Sequence, residues 1–316
     1  MVAHDLIFPY LLRKVTEKAA LASYEWIGRG NKIGGDSAAV EAMRVSLDEL
    51  KLNGTIVIGE GEKGDAPQLY NGEVFGNKNA SDELDIAVDP VEGTTFLADG
   101  QTNAMAVIAT APKGTMFDPG PAYYMEKFAA PSETRGKINM DWTTEKKLKT
   151  VAKLIGEDIE NLTVFVLDKP RHRNLVEEIH QAGARVSLYP AGDIAGAIMA
   201  AIPDTEVDVL MGTGGTPEGI ISASAIRAMG GEFLGRLDPQ LATEIVRVRD
   251  ANLDTKRWYD RDELIGSDDV HFCATGITSG ILFNGVKQTK HHFRTETLIV
   301  TGTSKEMLSL TNWHRR

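Results

Sequence analysis

The sequence predicts an α/β protein in two parts, an N-terminal α+β region over residues 1–150 and a C-terminal α/β region over residues 151–316. Three observations carry that prediction. Apolar residues recur at helical spacing in the opening segments. Short apolar runs then stop at an acid beside glycine. From about residue 160 onward, short β-rich runs alternate with helical ones, the pattern of βαβ units.

Taken in order, residues 5–28 place Leu12, Val15, Ala19, Ala22 and Trp26 on one helical face, and Gly28-Arg29-Gly30 ends that helix. Asp36-Ser37 opens a second helix reaching Leu50, with Ala39, Met43 and Leu47 on its apolar side. Residues 55–58 form a short strand, 63–82 a Gly/Asn/Asp-rich loop or ribbon, and 84–88 and 104–109 two more strands. The second part reads as strands at 162–167, 185–189, 207–211, 270–274 and 297–300, with helices at 173–181, 194–201 and 217–229. The polar stretch 131–160 supplies the boundary.

A chain of 316 residues is long enough for two domains, and 42% hydrophobic with 25% charged residues is ordinary for a globular protein. The net charge of −11 argues against general binding to nucleic acid or anionic membrane. An anionic substrate remains compatible, because a bound divalent metal reverses the field locally. A lone cysteine, Cys273, precludes an intrachain disulfide. With no secretory signal and no apolar run near the ~20 residues of a membrane helix, the expectation is a cytoplasmic protein.

The richest segment is Asp85-Ile86-Ala87-Val88-Asp89-Pro90-Val91-Glu92-Gly93-Thr94-Thr95. An apolar run ends in Asp89, proline turns the chain, Glu92 follows, and Gly-Thr-Thr closes the loop. A tight turn alone explains Asp-Pro and Glu-Gly but not acid at both positions. Carboxylates at a buried strand end need a compensating charge, and hard divalent cations such as Mg²⁺ or Mn²⁺ supply one. Thr94 would then orient an attacking water, the arrangement of a metal-dependent phosphatase. Glu60 and Glu62 end another strand in Gly59-Glu60-Gly61-Glu62, a pattern also met in plain acidic loops. Asp36 reads as a helix N-cap with an oxygen left over for metal, and Lys32 could neutralise the cluster.

Gly212-Thr213-Gly214-Gly215-Thr216-Pro217-Glu218-Gly219 joins a strand to a helix. Thr216 suits the cap, Pro217 the first turn, and Glu218 the positive helix end. The glycines suit a phosphate or metal lying against the backbone. Lys169-Pro170-Arg171-His172 places cations just past a strand, fit for a phosphate or for solvent. Tyr124 could touch a sugar or fill core space.

Together these segments resemble the class II fructose-1,6-bisphosphatases of the lithium-sensitive sugar and inositol phosphatase superfamily. Further matching stretches are Val15-Thr16-Glu17, Trp26-Ile27-Gly28-Arg29-Gly30, Tyr124-Met125-Glu126-Lys127 and Ala274-Thr275-Gly276-Ile277-Thr278. The resemblance implies a layered αβαβα sugar-phosphatase fold, a homo-oligomer (dimer or tetramer), and two or three Mg²⁺ or Mn²⁺ ions per site. It implies metal ligands at Asp36, Glu60, Asp89, Glu92 and Glu218, and catalytic support from Lys32, Glu62 and Thr94. Substrate contacts would come from Glu92, Gly93, Thr94, Tyr124, Lys169, Pro170, Arg171, Gly192, Asp193 and Gly215. The implied reaction converts fructose 1,6-bisphosphate to fructose 6-phosphate and phosphate, a step of gluconeogenesis. Ala191-Gly192-Asp193 stands where the family usually shows Asp-Gly-Asp, Asn31 where Asp is common, and Ile281 where an acid is common. Ala191 keeps sedoheptulose 1,7-bisphosphate and other polyol or inositol phosphates open as substrates. A non-catalytic sugar-phosphate sensor would be expected to lack acids at 60, 89 or 218, and all three are present.

Overall fold

The structure is a computed structural model that describes residues 4–61, 68–76, 83–203 and 205–316, with side chains from Phe8 onward. It divides into two compact units: unit 1 is Met1–Phe117 with Ile265–Arg316, and unit 2 is Asp118–Leu264.

Unit 1 opens with helices α1 (His4–Tyr24) and α2 (Lys32–Glu49) and strands β1 (Gly54–Ile58), β2 (Val74–Phe75) and β3 (Leu84–Glu92). Helix α3 (Thr94–Asp99) and strand β4 (Met105–Pro112) follow. Unit 2 runs β5 (Tyr124–Ala130), α4 (Thr144–Ile155), β6 (Thr163–Leu167), α5 (Arg173–Ala182), β7 (Arg185–Tyr189) and α6 (Asp193–Ala201). It continues with β8 (Val209–Gly215), α7 (Thr216–Met229), β9 (Glu232–Leu237), α8 (Ala242–Asp250), β10 (Tyr259–Asp260) and α9 (Arg261–Leu264). The chain then re-enters unit 1 as β11 (His271–Gly276), β12 (Lys287–Gln288), β13 (His292–Thr301) and β14 (Glu306–Arg315).

The sheet of unit 1 has the order β12-β13-β11-β4-β3-β1-β2, with β14 on the outer side of β13. Helices α1 and α2 pack on each other and on this sheet. The stripe Leu12, Val15, Ala19, Ala39, Met43 and Leu47 is buried, as its helical spacing predicts. Thr16 is bonded to the Thr275 hydroxyl at 2.7 Å, and Thr275 to Thr297 at 2.8 Å, so a chain of buried hydroxyls ties α1 to β11 and β13.

In unit 2 the order is β10-β9-β5-β8-β6-β7, with β7, β6 and β8 parallel. Alternation sorts its two faces. Phe128, Val164, Val166, Val209 and Met211 join Leu148 and Val151 of α4 and Ile179 of α5 in one core. Phe165, Met125 and Lys127 point the other way, beneath Gly196 of α6 and Gly219 of α7. Unit 1 thus supplies a helix layer and a sheet, and unit 2 a sheet between two helix layers, in agreement with the mixed α/β class.

The sequence reading divides the chain at 150/151, whereas the contacts divide it after Phe117 and after Leu264. The reason is β11, which pairs antiparallel with β4 from His271↔Thr110 to Gly276↔Met105 and so draws the C-terminal segment into the first sheet. Helix α2 also begins earlier than predicted. Asn31 is its N-cap, accepting the Gly34 N–H at 2.9 Å, so Asp36 lies inside the helix instead of capping it. Asn is as good a capping residue as Asp.

Candidate active site

In unit 1 the predicted residues gather at one sheet end. Strands β1 and β3 are parallel and Ile58 pairs with Ala87, so Glu60 and Asp89 follow on the same side of the ladder. Pro90 does not stop β3. The pairing shifts by one residue between Asp89↔Val107 and Glu92↔Met105, a β-bulge at Pro90-Val91 where proline offers no N–H to the ladder. The Asp89 carboxylate accepts the Val91 N–H at 3.0 Å. The bulge has a chemical consequence. Residues three apart on a regular strand face opposite ways; the extra residue returns Glu92 to the Asp89 face. Carboxylate oxygens of the two lie within 4.8 Å of each other.

Gly93, at φ 84, turns the chain directly into α3, whose first residue is the half-buried Thr94. Lys32, on the first turn of α2, donates to the Thr95 hydroxyl at 2.8 Å, tying that turn to α3. Asp36 lies one turn further along α2, where burial raises its carboxyl above the usual range. Glu62 falls outside the described residues.

In unit 2 the carboxyl ends of β6, β7 and β8 share one edge with the amino end of antiparallel β5, where Tyr124 pairs with Gly215. Lys169-Pro170-Arg171, Gly192-Asp193 and Glu218 all follow those strand ends. Arg171 donates twice to the Thr213 carbonyl, at 3.0 and 2.7 Å, and its guanidinium lies 5.2 Å from the centre of the Tyr124 ring. His172 is neutral by its bonding. The Thr213 N–H donates to Nε2 at 2.8 Å, leaving the proton on Nδ1 to face the Leu167 carbonyl at 2.7 Å. Burial lowers its pKa from 6.5 in the same sense.

The sequence reading assigned the glycines of 212–219 to a ligand. In the structure they give way to the protein's own side chains. A Cβ at Gly212, whose φ is +124, would come 2.9 Å from His172 Nε2. At Gly214 it would strike Asp193, and at Gly215 it would strike Glu218. Gly215 is the helix cap and Thr216 the first residue of α7, so the threonine is not the cap.

A residue to which the sequence reading gave no role in the site stands at the centre of this cluster. Lys127 is 2% exposed, and its ammonium donates to Asp193 at 2.6 Å. Its signals are its place in the stretch Tyr124-Met125-Glu126-Lys127 and a lysine inside the otherwise largely apolar run of β5. Glu218 lies beside this pair. Burial raises its carboxyl above the usual range, the Asp193 charge pushes the same way, and Lys127 opposes both. Its Oε2 atom is shut off from solvent without a hydrogen-bond partner. An orphaned carboxylate oxygen is costly unless a cation meets it. Like the Asp89–Glu92 pair in unit 1, Glu218 offers carboxylate oxygen alone, the donor type that fits hard divalent cations. Cys273 is buried within β11, and burial pushes its thiol far above the usual range, so it offers no soft ligand.

Carboxylates aligned at strand ends in one unit, and cations with tyrosine at strand ends in the other, are the equipment of a metal-dependent hydrolase of phosphate monoesters. Comparison with known proteins narrows this class. The sequence model of the family described as bacterial fructose-1,6-bisphosphatase, glpX-encoded, matches residues 8–314. The chain belongs to this family, whose members are phosphoric monoester hydrolases. It is 41% identical over 314 residues to fructose-1,6-bisphosphatase 1 class 2 of Escherichia coli K12, covering 95% of this chain and 93% of that one. The class 2 fructose-1,6-bisphosphatase of Shigella flexneri matches with the same 41% identity and the same coverage, 95% and 93%. Among solved structures, an extragenic suppressor from Pyrococcus furiosus aligns at TM-score 0.34 and 13% identity, over 61% of this chain and 69% of that one, a likeness too slight to bear on the fold.

Proposed function

We propose that this protein hydrolyses fructose 1,6-bisphosphate to fructose 6-phosphate and phosphate, in a gluconeogenic route in the cytoplasm. The observation that carries the reading is 41% identity to a named class 2 fructose-1,6-bisphosphatase across 95% of the chain. Those relatives favour fructose 1,6-bisphosphate over sedoheptulose 1,7-bisphosphate or an inositol phosphate. The retained acids at 60, 89 and 218 speak against a non-catalytic sensor.

Asp36, Glu60, Asp89, Glu92 and Glu218 are the proposed ligands for two or three Mg²⁺ or Mn²⁺ ions. Such ions, when bound, acidify water and neutralise the charge that develops on a leaving alkoxide. The chain supplies orientation. Thr94 holds the attacking water through its hydroxyl, with Glu62 as the acid that polarises it. Lys32 secures α3 through Thr95 and adds positive charge beside the acids. Tyr124, Lys169, Pro170, Arg171, Gly192, Asp193 and Gly215, with Glu92, Gly93 and Thr94, form the substrate contacts. Arg171, already anchored to Thr213 and stacked near Tyr124, is suited to grip a phosphate. Asp193 is held by Lys127 at 2.6 Å, which fixes the Gly192-Asp193 turn that offers those contacts. The family resemblance supports a homo-oligomer, dimer or tetramer.

The test is phosphate release from a panel of sugar and inositol phosphates with Mg²⁺, Mn²⁺ or chelator. Fructose 1,6-bisphosphate is expected to be the best substrate, with no turnover in chelator and little in Asp89→Asn. Full activity of Asp89→Asn would sink the metal assignment. A different preferred phosphate would move the substrate and put Ala191 first in line as the cause.

A further inference from the structure

Strand β8 pairs with β6 at Val164↔Val209 and Phe165↔Leu210. Further along β8, side chains meet the backbone of Thr213: His172 takes its N–H and Arg171 its carbonyl. The Thr213 hydroxyl donates to Asp238 at 2.6 Å, so all three polar groups of this residue are fixed. Asp238 stands just past the end of β9, and its own N–H donates to the Tyr124 carbonyl at 2.9 Å. Glu244 of α8, closing the same turn, is 0% exposed. One of its oxygens accepts the N–H groups of Gln240 and Leu241, at 2.9 and 3.3 Å. A capping box at the start of α8 accounts for that oxygen. It does not account for the other, which accepts the N–H groups of Tyr123 and Tyr124 at 2.6 and 2.8 Å, Tyr124 lying 120 residues away in the chain.

We propose that the turn from Asp238 to Glu244 is the positioning element of the substrate contacts, with Asp238 setting Arg171 through Thr213 and Glu244 setting Tyr124 through its backbone N–H. This rests on the reading of Tyr124 and Arg171 as substrate contacts. Neither carboxylate touches substrate. A buried carboxylate needs donors of its own, and those of Glu244 are four backbone N–H groups, two from the turn and two from the entry of β5. The turn therefore fixes where β5 begins. It also fixes the relation between cation and ring, because the Arg171 guanidinium lies 5.2 Å from the centre of the Tyr124 ring and both residues are tied to the same seven-residue stretch, 238–244. A binding constellation tolerates displacements of only about 0.5 Å, so a loosened turn moves both contacts at once.

The test is steady-state phosphate release by the full chain with Mg²⁺ or Mn²⁺, on whichever sugar phosphate the wild type turns over best. A grip that holds substrate and transition state alike shows in KM and spares kcat. Glu244→Gln keeps the size of the side chain but sets an NH2 group against N–H donors. It is expected to raise KM about tenfold and to change kcat less than about twofold. The effect should pass through Tyr124, so in a Tyr124→Ala background Glu244→Gln should raise KM by less than about twofold further. Thr213→Val has the same shape and cuts only the link to Asp238. It is expected to show the same split and to lose it in an Arg171→Ala background, and it keeps the test decisive if Glu244→Gln fails to fold. KM unmoved by both variants would overturn the proposal. So would a fall in kcat alone, or effects that simply multiply with those of Tyr124→Ala and Arg171→Ala, the mark of a purely structural role. A wild type that turns over no sugar phosphate would sink the catalytic reading and this inference with it, an outcome distinct from normal turnover with KM unmoved.

Discussion

Lys127 shows how one residue can organise a site it was not expected to enter. An ammonium 2% exposed is tolerable only because Asp193 meets it at 2.6 Å and Glu218 adds negative charge nearby. Removing one partner of a buried pair leaves the other uncompensated, so Lys127→Met is expected to lose about 3–5 kcal/mol in urea unfolding. Lys127→Met with Asp193→Leu should cost less than the sum of the single changes, and strict additivity would show the pair to be uncoupled. His172 gives a pH prediction. Burial depresses its pKa below 6.5, so the folded state favours the neutral ring. Its contribution is complete above the unfolded value of about 6.5 and is lost as pH falls toward the lower folded value. Wild type should therefore lose stability from about pH 7 to pH 5 more steeply than His172→Gln, because the glutamine removes that proton uptake. Equal slopes would mean that His172 is not the linked group.

At the scale of elements, helices with a clear stripe were legible and their ends were not. Leu12, Val15 and Ala19 of the α1 stripe are buried as read, whereas Ala22 is half-buried and Trp26 lies beyond the helix end; α2 begins at Lys32 because Gly34 and Gly35, which look like helix breakers, serve packing. A Cβ at Gly34 would run into the Trp26 ring, and one at Gly35 would come 2.5 Å from Leu97. Gly34→Ala gains intrinsic helix propensity of about 1 kcal/mol, yet the overlap with a packed indole should outweigh it and lower stability by about 1–3 kcal/mol. Trp26→Ala should relieve most of that loss, which thermal melting of the single and double variants would resolve; a stabilised Gly34→Ala would show that the indole moves aside freely. The bulge in β3 was illegible for a related reason. Asp-Pro reads locally as a turn, and only pairing with β4 reveals that the strand continues and that Asp89 and Glu92 share a face. Strands β5 and β14 carry lysine or polar residues at positions that period-2 reading would reject, so their existence depends on buried partners and on neighbouring strands. The acids themselves were legible because carboxylates at apolar strand ends need a reason wherever the strand lies.

For the whole molecule, the path of the chain sets what can fold alone. Sequence reading runs linearly and placed one boundary at 150/151, but no local signal announces that β11 will return across unit 2 to lie beside β4. That pairing makes unit 1 discontinuous and rich in long-range contacts, and makes unit 2 a continuous insertion with its own sheet and both helix layers. Closing so long a loop precedes any gain from the β4–β11 ladder, so the first sheet should form late. A chain ending at Leu264 keeps all of unit 2 but strips β4 of its neighbour, exposing the edge of a strand whose residues Met105 to Ala111 are all buried in the full chain. It is expected to express insolubly or to show a single cooperative transition from unit 2 alone. The fragment 118–264 should be soluble, with native-like far-UV signal and its own sharp urea transition. Two transitions in the truncated chain, matching those of the full protein, would show that β11–β14 are dispensable and that unit 1 is complete without its returning strands. An unfolded 118–264 fragment would show that the inserted unit, despite its closed core, draws its stability from the rest of the chain.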